Sequence, residues 1–410
     1  MGMTARRGDV ASPQRAPTPT AGMADFARAV FAGEDLTPAF EALKARAAVH
    51  PDDAGALLDI STILQLVGQR EAGLALQAEA LSRQRWYRRL LGTGVGPRLL
   101  ALVAPGDMMA NTPVEFLLAG WSGVLDLMYL DPAEPWRDIP DHDVAILAVG
   151  ESDDSQALLA RRADTLARWP RPMINGELGA IAGLRRDEAA ERLNGYPDLV
   201  APSVRRALRA DLVRLAAGDA PVSLGADIGY PIIARPVGSH AGSGLRKLDD
   251  AGQVRAYLAG QAAETFYVSP FIDYRSSDGR FRKLRVALVA GHPFVVHMAV
   301  SDHWMVHYLN AGMTADAAKR AEEAELMAGF NAGFAARHAA AFRTLFEAFG
   351  LDYFAIDCAE DRDGRLLVFE PDTAMIVHDM DPPDLFPYKR PAMRKLFAAF
   401  QALVNTLAEP

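Results

Sequence analysis

Two periodicities divide the chain. From Met23 to about Arg89, apolar residues recur at helical spacing, as in Leu57, Leu58, Ile60, Ile63 and Leu64, in a background rich in Ala, Leu, Glu and Arg. This segment is expected to be all helix. Between residues 98 and 150 the pattern changes to short, nearly continuous apolar runs, RLLALVAP, VLDLMYLDP and DVAILAVG, separated by stretches long enough for crossover helices. Strands of that kind are buried on both faces of a parallel α/β layer. A fourth strand in RPMIN and a helix from about Asp187 to Leu193 complete it, and a Pro-bounded exit ends the domain near residue 205. Beyond a short helix around Leu208 to Leu215, YPIIARPV and TFYVSPFID read as strands. FRKLRVALVAGHPFVVHMAVS reads as an antiparallel hairpin turning at Gly291, and LDYFAIDCAEDRDGRLLVFEPD as another turning near Gly364. Runs of strands with helices at intervals make this part α+β.

At the N-terminal end, HPDDAGALLDISTILQLVGQREAGLALQAEALSRQ places Pro51 and two Asp before one helix and Gly68 at the turn into a second. It resembles a tetratricopeptide unit. Only one such unit is evident, and stacked repeats need about three, so a plain helical hairpin packed on the next domain accounts for it equally well. Residues 1–22 carry Pro, Ser and Thr with no apolar core and are expected to form a disordered tail.

Length and charge narrow the picture. At 410 residues, half of them apolar, the chain should build two or three cores. A net charge of −9 and a pI near 5.5 argue against a nucleic-acid partner. No run reaches the roughly 20 apolar residues that span a bilayer, so no membrane partner is expected. The single cysteine, Cys358, fits a cytoplasmic protein. It follows Asp357 and should face the core, away from any chemistry.

The most informative segment is YPIIARPVGSHAGSGLRKL, a strand entering a loop with Gly238, Gly242 and Gly244 beside Ser239, His240 and Ser243. Glycines there permit the positive φ and close approach with which successive N–H groups cradle phosphate, although the loop is neither a Walker A motif nor a full dinucleotide fingerprint. More than a hundred residues later, Asp357 ends DYFAID, while Glu370 and Asp372 close LLVFEPD with side chains on one face. Three convergent carboxylates beside a phosphate site suit magnesium. NTPVEFLL offers Asn111 or Thr112 as an N-cap where an anion could bind. His297, His303 and His307 lack the tight spacing of a zinc site; His303, Trp304 and His307 are better placed to shape an acceptor pocket.

Taken together these segments resemble the ATP-grasp superfamily, nearest to the glutathione synthetase and D-alanine ligase group, including ligases that add amino acids to peptide or protein ends. IIARPVGSHAGSGL resembles the family strand and glycine loop, YVSPFID the adenine hinge, and DYFAID and VFEPD the metal segments, across roughly residues 205–405. The resemblance implies ATP and Mg²⁺ as cofactors. It sets adenine against Val268, Ser269 and Phe271, ribose near Asp273, and phosphates at Arg235, the loop Gly238 to Gly244, and Arg285. It assigns the metal to Asp357, Glu370 and Asp372, and turns Asn310 toward the transferred phosphate. Two positions depart from the family: Arg235 stands for the usual Lys, and Asp372 for the usual Asn.

The implied organisation is a tail at 1–22, a helical tetratricopeptide-like segment at 23–95, a parallel α/β pre-ATP-grasp domain at 96–205 and a two-lobed ATP-grasp domain at 206–410. The implied activity is carboxylate–amine ligation through an acyl phosphate. The substrates are a small-molecule or peptide carboxylate and an amine, with the helical N-terminus as a surface for a peptide or protein partner. A nucleotide-binding adaptor without catalysis is the alternative.

Overall fold

The computed structural model describes residues 16–131, 139–177, 179–219, 221–239 and 242–409. The helical segment consists of Met23–Phe31, Thr37–Val49, Ala54–Leu66 and Arg70–Arg83. The last two form the expected hairpin, with Asp53 capping its first helix by accepting from Ala56 N at 2.9 Å.

Helix ends at Arg83, earlier than the apolar spacing predicts. Residues 86–91 form a strand instead, because Arg88 forks onto Asp126 (both bonds 2.8 Å) and Arg89 reaches Glu115 and Asp25, partners remote in sequence. The expected tail is also shorter. Residues 1–15 lie outside the described residues, but Thr18–Pro19 is a strand, and Thr20 Oγ1, Ala21 N and Gly22 N all donate to the buried carboxylate of Asp59.

The first sheet contains β1 (Thr18–Pro19), β2 (Trp86–Leu91), β3 (Arg98–Val103), β4 (Gly123–Tyr129), β5 (Val144–Leu147) and β6 (Met173–Ile174), in the order β1-β2-β4-β3-β5-β6. Strands β3 to β6 pair in parallel, as their continuous apolar runs predict, whereas β2 is antiparallel to β4. Period-two alternation sends Leu99, Ala101 and Val103 toward Leu57, Leu58 and Leu81 of the hairpin and the C-terminal helix Lys389–Ala408. Leu100 and Leu102 enter the opposite core, with Ala145, Leu147, Leu184 and Leu193.

Strand β7 (Leu199–Val200) leaves this layer for the third sheet, pairing in parallel with the strand Leu366–Asp372. The second sheet is formed by β8 (Arg205–Leu208), β9 (Ile232–Pro236), β10 (Arg246–Leu248) and β11 (Thr265–Pro270), ordered β10-β9-β11-β8 and wholly antiparallel. Helices Arg209–Ala216 and Ala251–Ala259 share its core through Leu212, Val254 and Leu258.

The third sheet holds β12 (Phe281–Val289), β13 (His292–Ser301), β14 (Tyr353–Glu360) and β15 (Leu366–Asp372), ordered β13-β12-β14-β15-β7. The hairpin β12–β13 turns at Ala290 and Gly291, both with positive φ, as a two-residue loop between right-twisted strands requires. Cys358 lies fully buried in the core behind this sheet, as its parity predicts. Among the described residues no helix is long and apolar enough to cross a membrane.

Candidate active site

Antiparallel register builds the site one row at a time. Across the third sheet, His297 of β13 stands opposite Arg285 of β12, Arg285 opposite Asp357 of β14, and Asp357 opposite Glu370 of β15. Two register shifts adjoin this row, one between Arg285 and Val286 and one between Asp357 and Cys358, and such bulges re-aim side chains.

The guanidinium of Arg285 donates to Asp357 through Nε at 2.8 Å and Nη2 at 3.2 Å, while Nη1 donates to the Ile376 carbonyl at 3.1 Å. Lys283 Nζ, two residues earlier on the same face, is 2.7 Å from the second Asp357 oxygen. Burial works to raise the Asp357 carboxyl, but these two cations hold it well below the usual carboxylate range. Glu370 pairs with Arg186, from helix Arg186–Arg192.

Asp372 differs. Its carboxylate accepts from Ala374 N at 2.9 Å, and burial together with the neighbouring Glu370 charge pushes its pKa up to about 6. Glu151, just beyond β5, is likewise raised to about 7 by burial, with Asp372 contributing. His297 is kept neutral by burial and by Arg285, and its ring lies 4.7 Å from that of Tyr308.

Facing this row across a cleft is the second sheet. Ile233 and Arg235 of β9, Tyr267 and Ser269 of β11, and Phe271 line one side; Lys283, Phe369 and Glu370 line the other, and Trp304 and Arg186 also line the cleft. Burial lowers the Arg235 guanidinium to about 10, helped by the nearby Arg186 cation, and Arg235 reaches back to Ser239 in the glycine loop, its Nε 3.2 Å from Ser239 Oγ. Gly238, Gly242 and Gly244 all have positive φ, as the loop reading requires. A Cβ on Gly244 would stand 2.7 Å from Pro236 Cδ, whereas one on Gly242 would meet only Met305 Sδ at 3.9 Å, on the cleft margin. Ser243 is exposed in this loop, and His240 lies outside the described residues.

Thus Arg235, Ser269, Phe271 and Glu370 meet in one cleft, and Arg285 and Asp357 lie against its Lys283 wall. Other expected residues stand elsewhere. Val268 is fully buried in the lobe core between β9 and β8, and the Phe271 N–H donates to Pro231 O at 2.9 Å, leaving its ring to face the cleft. Asp273 does not line the cleft: Arg275 and Arg362 both grip it and lower its pKa to about 2. Asn310 is exposed and does not line the cleft; its Oδ1 caps a short 3₁₀ turn by accepting from His307 N at 3.0 Å. Trp304, expected in an acceptor pocket, packs its ring edge-on to Phe271, 5.9 Å between centroids. Neither Asn111 nor Thr112 caps the four-residue helix Val114–Leu117, since Asn111 instead brackets Ala104 with bonds of 2.7 and 2.8 Å.

Sequence reasoning missed Arg186, Lys283, Tyr267 and Phe369. Of these only Lys283 carried a signal, sharing strand parity with Arg285.

The three carboxylates offer hard oxygen donors on one sheet face, but among the described residues no three His, Cys, Asp or Glu side chains are gathered closely enough to hold a cation. Magnesium beside phosphates needs only one or two carboxylates. Glu370 and Asp372 fit that smaller requirement: they lie two residues apart on one strand, and burial with the Glu370 charge beside it raises Asp372.

No family model matches the chain, and no curated protein does. Among solved structures, it is similar to the RimK-domain ATP-grasp protein from Sphaerobacter thermophilus, at 17% identity and a TM-score of 0.42, covering 75% of this chain and 99% of that one. It is also similar to the ATP-grasp ligase PsnB complexed with precursor peptide PsnA2 and AMPPNP, at 13% identity and a TM-score of 0.37, covering 74% and 97%. A further PsnB structure, with a phosphomimetic minimal precursor, Mg and ADP, gives 14% identity and a TM-score of 0.38, covering 74% and 99%.

Proposed function

We propose that the chain is an ATP-dependent carboxylate–amine ligase of the ATP-grasp kind, taking ATP with Mg²⁺ between its second and third sheets. The observation that carries this reading is the row Arg285–Asp357–Glu370, set across one cleft from Arg235 and the glycine loop. In this reading the first sheet is the pre-ATP-grasp layer, and the lobes begin near residue 205.

Phosphoryl transfer asks a protein chiefly for positioning and for charge that offsets developing anions. Arg235 and the loop amides would hold the phosphates from one side, with Lys283 and Arg186 on the other. The apolar faces of Ile233, Phe271 and Phe369 would enclose the base. Glu370 and Asp372 are the residues that would hold magnesium, which when bound would offset phosphate charge. Arg285, fixed by Asp357, would steady the reacting carboxylate. A carboxylate oxygen attacks the γ-phosphorus and ADP leaves; the amine then attacks the acyl carbon, phosphate departs and the amine loses a proton.

The test supplies the chain with ATP, Mg²⁺ and a library of amines and heavy-oxygen-labelled carboxylates of small-metabolite and peptide type. The reading expects ADP, an amide product and one labelled oxygen in the released phosphate. Release of AMP, or unlabelled phosphate with an amide formed, would rule out the acyl phosphate.

A further inference from the structure

Taking the cleft as an ATP site, on which this inference rests, we propose that Arg186 is a placeholder for the metal. It occupies Glu370 in the free chain and moves to the phosphates when nucleotide arrives, so that Glu370 opens to a divalent ion only beside nucleotide.

Arg186 begins the helix Arg186–Arg192, whose Ala189 packs in the core shared with the first sheet, and it pairs with Glu370 of β15. Both side chains line the cleft. In the nucleotide-free cleft most charges are met by one another: Asp357 is held by Lys283 and Arg285, and Glu370 by Arg186. Among the described residues, Asp372 alone of these three carboxylates has no cation paired to it. A divalent ion arriving alone would therefore meet one open carboxylate and a guanidinium on the next, with no third acid gathered close enough to help. Magnesium gives up its waters reluctantly, so such a site holds it weakly.

To leave Glu370, Arg186 needs another anion, and its own helix offers none. Asp187 and Glu188 are already taken by Arg185, at 2.7 and 3.0 Å. Arg235 also lines the cleft, and its guanidinium reaches Ser239 while no carboxylate among the described residues pairs with it. Burial lowers Arg235 to about 10, and the Arg186 cation beside it adds to that effect. Two guanidiniums lining one space repel each other, and a phosphate between them relieves the repulsion by accepting from both forks. The same phosphate brings the oxygen donors that the free cleft lacks. Departure of Arg186 and opening of Glu370 are then one event.

Two titrations of the full chain, beside Arg186→Met, test the exchange. Electron paramagnetic resonance of Mn²⁺ without nucleotide reads the metal alone; calorimetry with ATP in EDTA reads the nucleotide alone, with adenosine as the control lacking phosphate. We expect opposite shifts in Arg186→Met, Mn²⁺ tighter and ATP weaker, each by about fivefold, the scale of one partly exposed ion pair, with adenosine unchanged. Adding Glu370→Gln should abolish the gain in Mn²⁺ affinity. Arg186→Gln gives the same readout should the Met variant fail to fold. Mn²⁺ affinity no better than wild type, ATP affinity unchanged, or a Mn²⁺ gain that survives Glu370→Gln would make the ion pair a packing contact and overturn the proposal. A wild-type chain that binds neither ATP nor adenosine would instead reject the ATP site itself, and the proposal with it.

Discussion

Arg285 and Asp357 face each other across β12 and β14, the guanidinium forked onto the carboxylate at 2.8 and 3.2 Å. Asp357 is 3% exposed, so the pair stands out of water and neither partner can be removed without leaving charge behind. Arg285→Ala should lower unfolding free energy by about 2–4 kcal/mol, with Lys283 sparing part of the loss. Arg285→Lys should recover only part, since an ammonium cannot reproduce the fork. Urea denaturation of the three proteins measures this, and equal stability of Arg285→Ala and wild type would contradict it.

Asp59 is a second buried carboxylate, held by the N-terminal segment. It is 1% exposed and takes its hydrogen bonds from Thr20, Ala21 and Gly22. Thr20→Val should cost about 1–3 kcal/mol, because it strips a donor from a buried carboxylate. Deleting residues 1–20, which also removes β1, should cost more. An unchanged melting temperature in either protein would show that these contacts contribute nothing.

Such contacts explain which parts of the fold were legible in the sequence. RLLALV and VAIL declare themselves as strands because both faces are buried and every residue after Arg98 is apolar. WYRRLL did not, because its arginines are answered by Asp126 and Glu115, whose proximity no local pattern reports. Arg235 and Glu370, paired on motif order alone, line one cleft. Asp273 and Asn310 stand outside that cleft, where short-range partners, Arg275 and the His307 amide, claim their oxygens. Arg186 reaches Glu370 from a helix more than 180 positions away and follows no spacing rule.

Glu360 gives a pH signature. His338, 3% exposed, bonds its Oε1 at 2.8 Å, and with Arg337 it lowers the Glu360 pKa against the opposing effect of burial. A depressed carboxyl stabilises the fold above its unfolded pKa, and that contribution fades as pH falls through the folded value. Glu360 is about one-third exposed, so screening should hold the effect of Glu360→Gln at pH 7 to about 0.5–1 kcal/mol. The gap should narrow as pH falls from 7 to 3. Denaturant titrations at the two pH values test it, and a gap that widens in acid would reverse the sign.

The glycine loop should separate phosphate from base. Gly242 has φ +74° and a Cβ there would meet only Met305 Sδ, at an ordinary 3.9 Å, so Gly242→Val adds backbone strain without a clash at Cβ. ATP affinity should fall about tenfold, while adenosine affinity changes little. Calorimetry with both ligands decides it, and equal losses would make the loop a structural turn.

The cleft between the second and third sheets should bind nucleotide. Titrating the full chain with ATP in the presence of Mg²⁺, beside Arg235→Ala and Glu370→Gln, should give one nucleotide per wild-type chain and at least tenfold weaker binding in each variant, with folding intact by circular dichroism. Wild-type protein that fails to bind ATP, or variants that bind it as tightly as wild type, would contradict the assignment of this cleft.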